Sequence, residues 1–229
     1  MGPISLDIRS LYDHFNTPAT EVDCGDLCRR HNLTGKPFCC DVCHAVPSAY
    51  LQEWVFLKAH MQLWHAWRGD ECHSEIEDPQ QINQDKPEHM RLLACLGPDQ
   101  CQRDFRAMSC RQFPFFPYIT ADDRFIGMTY YWEFESYCWV ISNLGSVTSK
   151  FRREFFNTYD VLLSNWEEEY DSYYYLSGDM RSEFITLRRQ IPLLHRNGRH
   201  YLLNPKSDRL SRVEPDQFRQ FGYNQPINN

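Results

Sequence analysis

Ten cysteines carry the reactive chemistry of this chain, and they all fall in the first 138 of its 229 residues: Cys24, Cys28, Cys39, Cys40, Cys43, Cys72, Cys95, Cys101, Cys110 and Cys138. Five lie within twenty residues, from Cys24 to Cys43, and three more within sixteen, from Cys95 to Cys110. Thiolates are soft, strongly donating ligands that suit Zn(II) and iron–sulfur clusters and suit Mg or Ca poorly. Two groups of thiols from distant segments predict one shared site. Its candidate metal ligands are Cys24, Cys28, Cys39, Cys40, Cys43, Cys95, Cys101, Cys110 and Cys138. Cys40-Asp41-Val42-Cys43 is the one C-x-x-C, so neither the paired zinc knuckle nor the ferredoxin run is present. The cofactor stays open between zinc and iron, a [4Fe-4S] cluster included. Cys72, isolated in a polar stretch, reads as a small buried side chain rather than a ligand.

An even number of cysteines also fits a disulfide framework, but such frameworks serve short secreted domains that cannot build a core. Here 42% of residues are hydrophobic and 15% aromatic, with 6 Trp, 13 Tyr and 15 Phe, so apolar burial needs no covalent staples. The opening MGPISLDIRSLYDHF has neither the basic start nor the apolar stretch of a signal peptide. Pro3 and Leu6 argue against myristoylation, and no run approaches the roughly 18 apolar residues of a membrane span. The expectation is a cytoplasmic protein with no membrane partner.

Net charge is -7 and uneven: residues 1–138 hold 12 Lys+Arg against 20 Asp+Glu, and residues 139–229 hold 12 against 11. Nucleic-acid binding needs a basic face to displace counterions from phosphate, so the acidic cysteine-bearing part is not expected to bind DNA or RNA.

The elements that must hold the thiols follow from periodicity and breakers. A short helix is expected around Ile4 to Phe15. From Cys24 to Pro47 the Gly- and Pro-containing segment has no helical or strand period, and reads as a loop organised by metal. Ser48 is placed to cap a helix whose stripe is Leu51, Trp54, Leu57, Met61 and Trp64, ending near Trp67. Residues 69–90 read as an exposed connection. Tyr118 to Thr120 and Phe125 to Tyr131 make a hairpin. Phe151, Phe155, Tyr159, Leu162, Trp166 and Tyr170 line a long helix expected to pack on the Leu51 to Trp64 helix. A further helix covers Met180 to Gln190, and Asn197-Gly198 turns a hairpin within Leu193 to Leu203. The fold class is α+β: an irregular cysteine-rich metal-binding core with helices and short hairpins over residues 1–140, and a helical extension with a terminal hairpin over 141–229, packed on the first part.

Around the thiols, His44 beside Cys43 reads as an ordinary imidazole before a ligand. Arg111 is a candidate donor to sulfur, a group that would offset the charge of a four-thiolate site. Phe113, Phe115 and Phe116 are expected to wall the site from water. No dinucleotide loop, P-loop, nucleophile elbow or zincin helix occurs, so the reading leans away from an enzyme. Glu167-Glu168-Glu169 reads as a solvated helix face.

Cys95-Leu96-Gly97-Pro98-Asp99-Gln100-Cys101, then Phe105, then Cys110-Arg111-Gln112-Phe113-Pro114-Phe115 resembles the YkgJ-like cysteine-cluster family, described as zinc- or iron-chelating domains. Ala107-Met108 stands where the family carries Arg-Pro. Cys24, Cys28, Cys39 and Cys40 resemble its leading cysteines and doublet, and Cys138 its late cysteine, so the resemblance spans about residues 24–140. It implies a metal-binding protein with a zinc or iron–sulfur site, structural or redox-sensing; the helical C-terminal part, outside the resemblance, is expected to dock a protein partner. The same motif resembles that of flagellin lysine methylases, which implies the alternative of a protein-modifying enzyme using the cluster as a structural or redox element.

Overall fold

The computed structural model describes residues 7–72 and 79–224, so Ile4 to Leu6 of the expected first helix and residues 73–78 of the expected connection lie outside the described residues. The fold is α+β, in two compact units: Met1–Asn16 with Asp23–Phe113, and Thr17–Val22 with Pro114–Asn229.

The first unit begins with α1 (Ile8–His14), capped by Asp7, whose carboxylate accepts from Ser10 N at 3.0 Å. Next is α2 (Cys24–Arg29), capped by Asp23. Ser48 does not cap a helix. It opens strand β1 (Ser48–Tyr50), which pairs antiparallel with Met90–Leu92, and helix α3 starts only at Leu51 and stops at His60. Pairing also ends the expected stripe early, because β2 (Trp64–Ala66) is drawn to the other edge of the same partner. Leu57 is fully buried, but Leu51 is 45% exposed. A helix α4 (Pro79–Asp85) occupies part of the expected connection, followed by β3 (Met90–Cys95) and α5 (Met108–Gln112). Strand order is β1-β3-β2, so β3 is central and delivers Cys95 at its end.

The second unit is not a helical extension. The expected hairpin forms as β4 (Phe115–Ile119) and β5 (Phe125–Tyr130), and α6 (Trp139–Ser142) follows. Helix α7 (Ser149–Asn165) is capped by Thr148, and Phe151, Phe155, Tyr159 and Leu162 are its buried stripe, as expected. The helix breaks at Trp166, and α8 (Glu167–Thr186) begins with three glutamates, whose charge favours a helix N-terminus. Strands β6 (Ile191–His195) and β7 (His200–Leu203) turn at Asn197-Gly198 as expected, with Gly198 at φ +86, and β8 (Leu210–Val213) follows. The sheet order is β4-β5-β6-β7-β8.

The division falls at residue 113 instead of 140 because Gly127 and Met128 of β5 pair with His195 and Leu194 of β6. That register needs glycine: a Cβ on Gly127 would meet Leu194 O at 2.8 Å. The α7 stripe is covered from within its own unit, where the Phe151 ring lies 5.8 Å from that of Phe115 and Tyr159 meets Tyr173 edge-on at 5.5 Å.

Candidate metal centre

Residues of the first unit build the thiol group from three places. Cys24 and Cys28 sit four apart on α2, so they share a helix face, and Cys28 is buried. Cys39 and Cys40 end a 3-10 turn at Phe38–Cys40, with their sulfurs 3.9 Å apart. Asp41 anchors this irregular stretch. Its carboxylate is covered by the loop itself and accepts from Asn32 Nδ2 at 2.9 Å, Thr34 Oγ1 at 2.7 Å and Cys43 N at 3.1 Å. Burial opposes ionisation, yet these donors hold the Asp41 carboxyl below its usual range. The loop thus has its own buried polar anchor.

Cys95 closes β3, and Gly97, at φ +107, turns the chain into the short 3-10 turn before Cys101. The Gly97 backbone favours the ionised form of Cys95, as the Phe38 backbone does that of Cys28, whose Sγ itself donates to Gly25 O at 3.5 Å. Arg106 Nε donates to Cys101 Sγ at 3.1 Å. Cys110 is carried by α5, whose first N–H is taken by a buried carboxylate described below.

The thiols act on one another electrostatically. Burial pushes the Cys110 thiol well above its usual range, and charge on Cys40, Cys95 and Cys101 adds to the rise while Arg106 opposes it. Residue 110 keeps some open surface, but its thiol is set deep. Cys95 is likewise raised by burial, then by Cys40 and Cys101. Cys28 is raised by burial, with Cys40 adding to it. Cys40 goes the other way, down to about 7, through its hydrogen bond with Cys39 and, against the cost of burial, the charges of Arg106 and Arg29. For Arg106, burial works against the cation, but its hydrogen bond to Cys101 and the charges of Cys101, Cys40 and Cys110 raise its pKa. Ionisation of Cys40 thus influences Cys28, Cys95 and Cys110, which links the two sequence clusters electrostatically.

A buried polar network fixes the helix that carries Cys110. Glu53 on α3 is wholly buried, and its carboxylate accepts from Tyr12 Oη at 2.6 Å, Met108 N at 2.7 Å and Tyr50 N at 3.1 Å. Burial raises the Glu53 pKa to about 7, against these donors and Arg111. Arg111 is not a sulfur donor. Its guanidinium donates to the carbonyls of Phe15, Asp104, Arg103, Tyr12 and Arg106 between 2.7 and 3.2 Å, and it lies 3.9 Å over the Tyr12 ring. Arg106, overlooked in the sequence, has the role expected of Arg111. Its position five residues after Cys101 and four before Cys110 was the available signal.

The other expected members have the following settings. Cys43 is bonded to Cys72, so in this structure neither is a thiolate, and Cys72 is not an isolated buried side chain. Cys138 precedes α6 in the second unit. Phe115 and Phe116 belong to β4 in that unit's core, against Phe151 and Tyr131, because the proline-containing strand is paired into the sheet. His44 packs edge-on against Phe38. Among the described residues no three His, Cys, Asp or Glu side chains are gathered to the spacing that a metal ion requires. The thiols are the donor type that suits a thiophilic ion. No protein-family model, curated protein or solved structure gives a significant match to this chain.

Proposed function

We propose that this chain is a metal-binding protein in which Cys40, Cys95, Cys101 and Cys110 hold zinc or an iron–sulfur cluster in a structural or redox-sensing role, with Cys28 and Cys39 beside them. One observation carries this reading: the Arg106 guanidinium Nε donates to the Cys101 sulfur at 3.1 Å, a charged donor aimed at a cysteine in the middle of the thiol group. A neutral thiol is a weak acceptor, whereas a metal-bound thiolate gains from such donors, which offset its charge and orient it. Arg106 supplies a full positive charge as well, and Cys40 is poised to ionise near neutrality. Burial of Cys110 disfavours its bare thiolate, and coordination is the simplest way to stabilise that sulfur as an anion.

The test is metal content per chain after purification without air, with a visible absorption spectrum. Coloured protein with iron and acid-labile sulfide, or colourless protein with about one zinc per chain, supports the reading. Protein that contains neither metal, and takes up neither when reduced and supplied with it, overturns it.

A further inference from the structure

Cys43 stands between two possible uses. It is bonded to Cys72, while the other eight cysteines are outside disulfides. It also lies three residues after Cys40 on a turn closed around Asp41. His44 N and Ala45 N donate to Asp41 O at 2.8 and 2.9 Å, and Cys43 N donates to Asp41 Oδ1 at 3.1 Å. A C-x-x-C on a tight turn is the arrangement by which many zinc sites take two thiolates from one segment. A sulfur in a disulfide carries no thiolate charge, so Cys43 cannot serve Cys72 and a metal at once. Both residues of the disulfide are half-buried rather than sealed in the core, which leaves the bond open to exchange.

We propose that the Cys43–Cys72 disulfide is a redox gate on the thiolate centre, withholding Cys43 from metal when oxidised and supplying it beside Cys40 when reduced. This rests on the metal-centre reading above and adds its regulation. Opening requires a dithiol reductant. The reductant's two thiols become its own disulfide, the Cys43–Cys72 bond breaks, and the two protons and two electrons pass to Cys43 and Cys72 as thiols. Cys43 then gives its proton to solvent as it takes up the metal ion. The bond also joins two points 29 residues apart.

Zinc affinity by chelator competition, with thiols counted in parallel, tests this on the full chain after treatment with oxidised glutathione or with dithiothreitol. The expected counts are eight thiols oxidised and ten reduced, from ten cysteines less the two in the bond. Reduced protein should bind zinc at least tenfold more tightly. Cys72→Ser should bind like reduced wild type under both treatments, and Cys43→Ser like oxidised wild type under both. Equal affinity of the two wild-type forms, with thiol counts that differ as stated, overturns the gate and leaves the centre standing. Ten thiols after glutathione treatment also overturns the gate. Absence of zinc and iron binding in both forms overturns the metal-centre reading itself.

Discussion

Arg106 and Cys101 are joined by an N–H to sulfur hydrogen bond of 3.1 Å, in which the guanidinium Nε donates to Sγ. The same cation is influenced by Cys40 and Cys110, so one side chain addresses three of the four proposed ligands. Arg106→Gln removes that charge and should lower metal affinity by about 10- to 100-fold, the usual effect of losing a group that supports a ligand. Competition with a coloured chelator measures it. An unchanged affinity would remove Arg106 from the site.

Cys110→Ser should lose metal, since hydroxyl oxygen is a poor substitute for a thiolate toward a soft ion. Cys72→Ser removes only the partner of Cys43 and should keep full metal under reducing conditions. Metal per chain for the two variants, purified side by side, makes the comparison, and full occupancy in the Cys110 variant would refute its assignment as ligand.

Glu53 predicts a pH dependence. Its pKa rises from an ordinary value of 4.5 to about 7 on burial, so between these values the folded chain binds more protons than the unfolded one. Its contribution is therefore fully present below about pH 4.5 and is lost as pH rises through about 7. The loss is on the order of 3 kcal/mol, at about 1.4 kcal/mol per pKa unit. Glu53→Gln should flatten this part of the profile of urea midpoint against pH. Identical slopes in both proteins would show that Glu53 does not titrate in that window.

Phe155→Ala should cost about 3 to 5 kcal/mol, as for other large buried aromatic side chains, because Phe155 has no exposed surface and packs with a tilted ring against Tyr159, centroids 4.5 Å apart. Trp166→Ala should cost less, since Trp166 is only half-buried at the break between α7 and α8. Urea denaturation ranks the two, and the reverse order would place the stripe's cover elsewhere.

Gly127→Ala should weaken the sheet where β5 meets β6, because the added methyl would approach a backbone carbonyl to 2.8 Å and that oxygen cannot swing away without breaking register. A loss of roughly 1 to 3 kcal/mol is expected for such overpacking. An unchanged melting temperature would mean that the two strands separate at no cost.

The sequence alone determined features governed by local rules. The α7 stripe from Phe151 to Leu162, the β4–β5 hairpin and the Asn197-Gly198 turn are legible because helical period, strand period and a φ-permissive glycine act within a few residues. The thiol clusters were legible as chemistry for the same reason, since residue type alone shows softness and spacing shows grouping. Only the tertiary structure decided the rest. Ser48 became a strand residue because β3, some forty residues later, pairs with it, and β2 ended the α3 stripe in the same way. The unit boundary moved because β5 met β6 across more than sixty residues. Whether Arg106 or Arg111 faces sulfur depended on where the carbonyls of Tyr12 and Phe15 came to lie. Whether Cys43 meets Cys72 or a metal depended on a pairing across 29 residues. Such choices compare energies between segments distant in the chain, and no local window of sequence contains both terms of that comparison.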